Sequence, residues 1–84
     1  MSIWVVHFME EPDLIYFRNA KRAYDYMKKT LVDYITECNI FGDREQVLYY
    51  EEELEELERE YGAINEDDLS FGANVMWARK EEVY

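Results

Sequence analysis

Few side chains in this sequence are suited to covalent chemistry. There is one histidine, His7, and one cysteine, Cys38. His7 lies inside the apolar run Ile3 to Phe8, where a lone histidine reads as a packed or edge residue of a strand. Cys38 falls on the apolar stripe of an amphipathic segment, which makes it a small buried hydrophobe. No Gly-rich phosphate loop, no Ser-His-Asp set and no paired metal-ligand motif is present. The tetrad Asn65-Glu66-Asp67-Asp68 lacks the alternating ligands, central glycine and closing glutamate of an EF-hand loop. The expectation is a protein that is not an enzyme, with no cofactor and no metal site.

The residues that can act do so through charge. Twenty acids stand against nine bases, a net charge of −11. Such a field repels nucleic acid and anionic membranes and attracts basic surfaces. The charge is unevenly placed. Arg18 to Cys38 holds five bases and three acids, whereas Asp43 to Asp68 holds twelve acids against Arg44 and Arg59. Within that stretch, Glu51, Glu52, Glu53, Glu55, Glu56, Glu58 and Glu60 crowd one ten-residue segment with a single arginine. As a helix it spans about 15 Å and carries roughly one net charge per 2.5 Å. Duplex DNA carries about one per 1.7 Å.

That crowding costs stability. Glu51–Glu55, Glu52–Glu56, Glu56–Glu60, Glu52–Glu55, Glu53–Glu56 and Glu55–Glu58 are like-charge neighbours, each unfavourable by about 0.2–0.5 kcal/mol. A surface selected for stability alone would interleave lysines. The plain alternative is a solvated helix face. Tyr49 lies beside the apolar stripe of the same segment, and tyrosine among carboxylates suits a protein-binding surface. The candidate partner-binding residues are these seven glutamates, Tyr49, and the loop acids Glu66, Asp67 and Asp68.

The supporting elements follow from periodicity and turn chemistry. Ile3 to Phe8 is β-branched and aromatic and predicts a strand. Glu10-Glu11-Pro12-Asp13 predicts a turn, and Leu14 to Phe17 a second short strand. Asn19 is a good N-cap for a helix running to about Cys38, with Ala23, Met27, Leu31, Tyr34 and Cys38 spaced by three or four. Asn39-Ile40-Phe41-Gly42 breaks it. Asp43 opens a second helix whose Val47, Tyr50, Leu54, Leu57 and Tyr61 step 3-4-3-4, with Gly62 as its stop. Residues 63–72 read as a polar loop, Ala73 to Arg79 as a third strand, and Glu81 to Tyr84 as a tail.

The expected fold is α+β in the order β-β-α-α-β, with two antiparallel helices on one face of a three-stranded antiparallel sheet. Residues 1–84 form one domain. A chain this short buries only about 60–65% of its unfolded surface, so its eight Tyr, four Phe and two Trp matter to the core. The first and third strands are apolar on both faces. The face away from the helices, with Ile3, Val5 and Met76, is therefore expected to serve as a homodimer interface or a partner site. No run of 18 apolar residues predicts a membrane span, and the N-terminus lacks signal-peptide features. A single cysteine suits a reducing cytosol, so a cytoplasmic location is expected.

In size, charge, single cysteine and the Glu51–Glu60 run with its aromatic flank, the chain resembles the small acidic proteins that phages use against host enzymes and defence systems. That class includes DNA mimics, uracil-glycosylase inhibitors and anti-CRISPR proteins. The resemblance is one of class and carries no residue-by-residue motif. It implies an inhibitor that occupies a basic, nucleic-acid-binding surface of a protein such as a nuclease, without binding nucleic acid or membrane itself. The alternative is a self-associating structural or adaptor protein whose acids only keep it soluble.

Overall fold

Seven residues make β1 (Ser2–Phe8), buried on both faces at its centre: Trp4, Val6 and Phe8 point to one face of a sheet and Ile3, Val5 and His7 to the other. A computed structural model describes residues 2–65 and 67–82, and β1 is one of the two inner strands. It pairs antiparallel with β2 (Glu11–Phe17), Val5 opposite Tyr16 and Val6 opposite Ile15, with an irregularity between Val6 and Phe8. The turn is shorter than the expected Glu10-Glu11-Pro12-Asp13. Glu11 already pairs with Phe8, and Pro12 sits within the strand. Its missing N–H is tolerated because β2 is an edge strand.

Asn19 caps α1 (Ala20–Phe41) by accepting from the Arg22 N–H at 2.9 Å. The helix runs past Cys38, because Asn39, Ile40 and Phe41 extend it and Gly42 ends it in the left-handed conformation, φ 75°. Asp43 then caps α2 (Arg44–Gly62), accepting from the Gln46 N–H at 3.2 Å. Gly62 is the last helical residue and has no positive φ, so α2 ends without a left-handed cap. Tyr24 stacks on Tyr61, Lys28 meets Glu58 and Tyr34 meets Tyr50, so one helix ascends as the other descends. The helices form an antiparallel hairpin joined by Gly42 and Asp43 alone.

The expected third strand, Ala73 to Arg79, starts three residues later and takes in Glu81 and Glu82 from the expected tail, while the expected loop 63–72 ends in a strand of its own. Ser70–Gly72 forms β3 and Met76–Glu82 forms β4, which together make a hairpin closed by Ala73 N–H to Met76 O at 2.8 Å. Gly72 permits that turn. Its φ is 150°, and a Cβ there would lie 2.5 Å from the Trp77 Cα. The sheet is four-stranded, antiparallel, in the order β2-β1-β4-β3, and the fold is α+β as expected in class.

Both helices lie on one face of it. Trp4, Val6, Ala23, Met27, Leu31, Leu57, Phe71, Met76 and Ala78 form the core between the layers. Met76 therefore belongs to the helix-facing side, fully buried, and not to the outer face with Ile3 and Val5. Register with β1 decides this, since Met76 and Ala78 pair with Phe8 and Val6 on the core side. The outer face carries Leu14, Tyr16, Trp77 and Arg79 around Val5. Val5 is only 1% exposed because Tyr16 and Arg79 flank it in register. His7 stacks on Trp77 with ring centroids 5.6 Å apart and planes 4° from parallel, and its Nε2 is buried without a hydrogen-bond partner. Among the described residues, no helix is long and apolar enough to cross a membrane.

Candidate functional site

The apolar stripe of α2 fixes where its carboxylates point. Tyr50, Leu54, Leu57 and Tyr61 pack against the core. At 100° per residue, the opposite side of the helix carries Glu45, Glu52, Glu55 and Glu56, with Arg59 among them. Glu51, Glu52, Glu55, Glu58 and Glu60 are exposed and Glu56 is half-buried. From Glu45 to Glu60 this ridge runs about 22 Å along the helix axis.

Two of the seven clustered glutamates behave differently from the rest. Glu53 is 3% exposed and points inward. Its Oε1 accepts from the Val75 N–H at 2.8 Å, and Oε2 accepts from Asn74 Nδ2 at 3.5 Å. It therefore anchors the β3–β4 turn to α2 and is not part of the exposed array. The sequence carried a signal for this. Glu53 stands three residues after Tyr50 and four before Leu57, on the core stripe itself. Glu58 faces α1, where Lys28 Nζ lies 3.3 Å from its carboxylate and 6.0 Å above the Tyr24 ring. The hydrogen bond that Lys28 donates to Glu58, and then the nearby Tyr24 oxygen, raise the Lys28 pKa. One base of α1 thus tempers one flank of the ridge and leaves its crest open.

The loop acids stand apart from the ridge. Asp68 is half-buried and accepts from the Asn65 N–H at 2.7 Å, closing a turn. Asp67 shares a shallow hollow with Trp4, Ala20 and Lys80. Glu66 lies outside the described residues. Tyr49 is 40% exposed, at the flank of α2. Burial first, then the Glu53 carboxylate and its hydrogen bond, push its phenol upward.

Tyr49 opens onto a feature that the sequence did not disclose. A cleft of about 520 Å³ lies between the β1–β2 turn, the last third of α1 and the first turns of α2. Tyr34, Tyr49 and Tyr50 wall it, with Tyr50 5.3 Å from Tyr34 and 5.4 Å from Tyr49 between ring centroids. Glu10, Glu11 and Glu37 line it as well, and among the described residues no lysine or arginine does. Met9 N–H donates to Val75 O at 3.0 Å, tying the hairpin turn to the segment that Glu53 holds. The carboxylates belong to elements 26 residues apart in sequence, so only their types, not their meeting, were readable. Among the described residues, no three of His, Cys, Asp and Glu come together in a way that could hold a metal ion.

Bare apolar side chains continue the site toward the helical turn. Ile40 and Phe41 close α1 at 75% and 83% exposure, and Leu48 stands exposed in the second turn of α2. Exposed apolar groups beside a charged array are the composition of a protein-binding surface. The chain matches no protein-family model, no curated protein and no solved structure.

Proposed function

We propose that this protein is a non-enzymatic inhibitor or regulator that sets the outer face of α2 against a basic, nucleic-acid-binding surface of another protein, such as a nuclease. The observation that carries the reading is the ridge itself. Glu45, Glu52, Glu55 and Glu56 form one outward array on a rigid helix, with Glu51, Glu58 and Glu60 on its flanks. A surface built to neutralise a polyanion already holds its lysines and arginines at the spacing such an array needs. Binding of this kind is steered electrostatically and weakens steeply with salt. Phe41 and Leu48 supply apolar anchors beside the charges. The resemblance to small acidic phage inhibitors agrees with this reading, as does a working place in a reducing cytosol, where an unpaired Cys38 is stable.

The test is charge reversal on the crest. Immobilised protein is used to capture partners, which are eluted over a salt gradient and challenged with duplex DNA as competitor. The E52K/E55K/E56K variant should keep the wild-type circular dichroism spectrum and lose those partners. Retention of the same partners by the folded triple variant would exclude mimicry.

A second reading, self-association through the outer sheet face, is favoured by Tyr16 at 59% exposure and by the exposed Leu14 and Trp77. It predicts a dimer by light scattering that survives high salt and dissociates in Tyr16→Glu. The two readings are compatible, since a dimer doubles the anionic surface.

A further inference from the structure

We propose that the tyrosine-walled cleft beside α2 is the pocket for an arginine side chain of the basic partner. This deepens the reading above and rests on it, because that reading supplies the class of partner. The cleft has the chemistry of a guanidinium site. Tyr34, Tyr49 and Tyr50 contribute to its walls, and a planar cation stacks on aromatic rings. Glu10 and Glu11 on one side and Glu37 on another offer carboxylates to a forked donor.

The carboxylates act on the cleft and not only on bulk solvent. After burial, Glu11 raises the Tyr34 pKa most strongly, and Glu10 contributes at both Tyr49 and Tyr50. No base among the described residues lines the cleft to offset them. Among the described residues no group of three His, Cys, Asp or Glu forms that could hold a metal ion. The volume, about 520 Å³, lies within the range of ligand pockets and admits the flanking peptide along with one side chain.

Position joins the cleft to the ridge. Gln46, Tyr49 and Tyr50 line the cleft, while Glu45 and Glu52 bracket them on the outer face of the same helix. Gln46 and Glu52 are about 9 Å apart along the axis, so one basic segment can reach both. The cleft is also braced. Glu53 holds Val75, Val75 holds Met9, and the hairpin turn is thereby kept at a set distance from α2.

The experiment titrates the full chain with the capped peptide Gly-Gly-Arg-Gly-Gly and with its citrulline counterpart, which keeps the shape and removes the charge. Tyrosine ring signals are followed by NMR. The arginine peptide should move the rings of Tyr34, Tyr49 and Tyr50 to saturation, and citrulline should not. E10Q/E11Q/E37Q alters only exposed side chains and should weaken arginine binding about tenfold, from roughly half a kcal/mol per lost ion pair. E52K/E55K/E56K should leave the ring shifts in place.

Shifts confined to the Glu51–Glu60 backbone with still rings would overturn the cleft and leave the ridge standing. Equal response to citrulline would also overturn it. A triple-lysine variant that keeps its macromolecular partners, while the rings still respond to arginine, sinks the ridge and spares the cleft.

Discussion

Glu53 separates structural carboxylates from functional ones on the same helix, and it makes a sharp prediction. Its side chain is 3% exposed and accepts from the Val75 N–H at 2.8 Å. Glu53→Ala removes that acceptor and leaves a half-buried backbone donor unpaired. A hydrogen bond to a charged group contributes about 1.5–3 kcal/mol, and the small void left by the missing carboxylate adds to the loss. The expected destabilisation is about 3 kcal/mol, which in a domain of this size lowers Tm by roughly 12–24 °C. Glu53→Gln keeps an oxygen for Val75 and should cost only about 1 kcal/mol.

Glu52→Ala is the control. It removes one carboxylate from the crest and relieves repulsion with Glu55 and Glu56, each worth about 0.2–0.5 kcal/mol, so stability should hold or rise. Urea unfolding followed by circular dichroism measures the difference, and amide exchange at Val75 reports the bond directly. If Glu53→Ala costs no more than Glu52→Ala, or if Val75 exchange is unchanged, the inward carboxylate does not anchor the β3–β4 turn.

Two further perturbations probe the frame around the site. Gly72→Ala forces a side chain into a φ of 150° with its Cβ 2.5 Å from the Trp77 Cα, so it should cost about 2–4 kcal/mol in urea unfolding. A wild-type midpoint in that variant would mean that the β3–β4 turn is not built as described. Burial raises the phenols of Tyr34, Tyr49 and Tyr50 above the ordinary 10.0, with help from Glu11, Glu53 and Cys38 respectively. The folded state thus holds these protons more tightly than the unfolded chain. The stability they contribute is complete below pH 10.0 and is lost as pH rises through the raised values. Urea midpoints at stepped pH should fall across that window, and a flat midpoint there would contradict the burial of these rings.

Local pattern made both helices readable. Ala23, Met27 and Leu31, like Tyr50, Leu54, Leu57 and Tyr61, recur every three or four residues, and Asn19 and Asp43 cap where capping residues should stand. The helix signal is strong because each turn repeats it. β3 was missed because three residues, Ser70–Gly72, are too few to show an alternation, and its strand character comes only from pairing with β4. The face of Met76 has a separate cause: alternation puts Met76 with Ala78, but which side of β4 meets the helices depends on its register with β1, and that register pairs Met76 with Phe8 and Ala78 with Val6. In a strand a shift of one residue reverses every side chain.

By itself, the sequence determined the concentration of acid and the helix that displays it. Six of the seven clustered glutamates keep some exposure, because positions that do not continue the apolar stripe have nowhere else to point. Tertiary structure alone decided that Glu53 serves Val75 and that Lys28 reaches Glu58. It alone brought Glu10, Glu11 and Glu37 around three tyrosines. The physical reason is range. Helical periodicity and capping are set by residues within one or two turns, whereas a buried acceptor or a cleft depends on donors and walls that the chain delivers from 20 or more residues away.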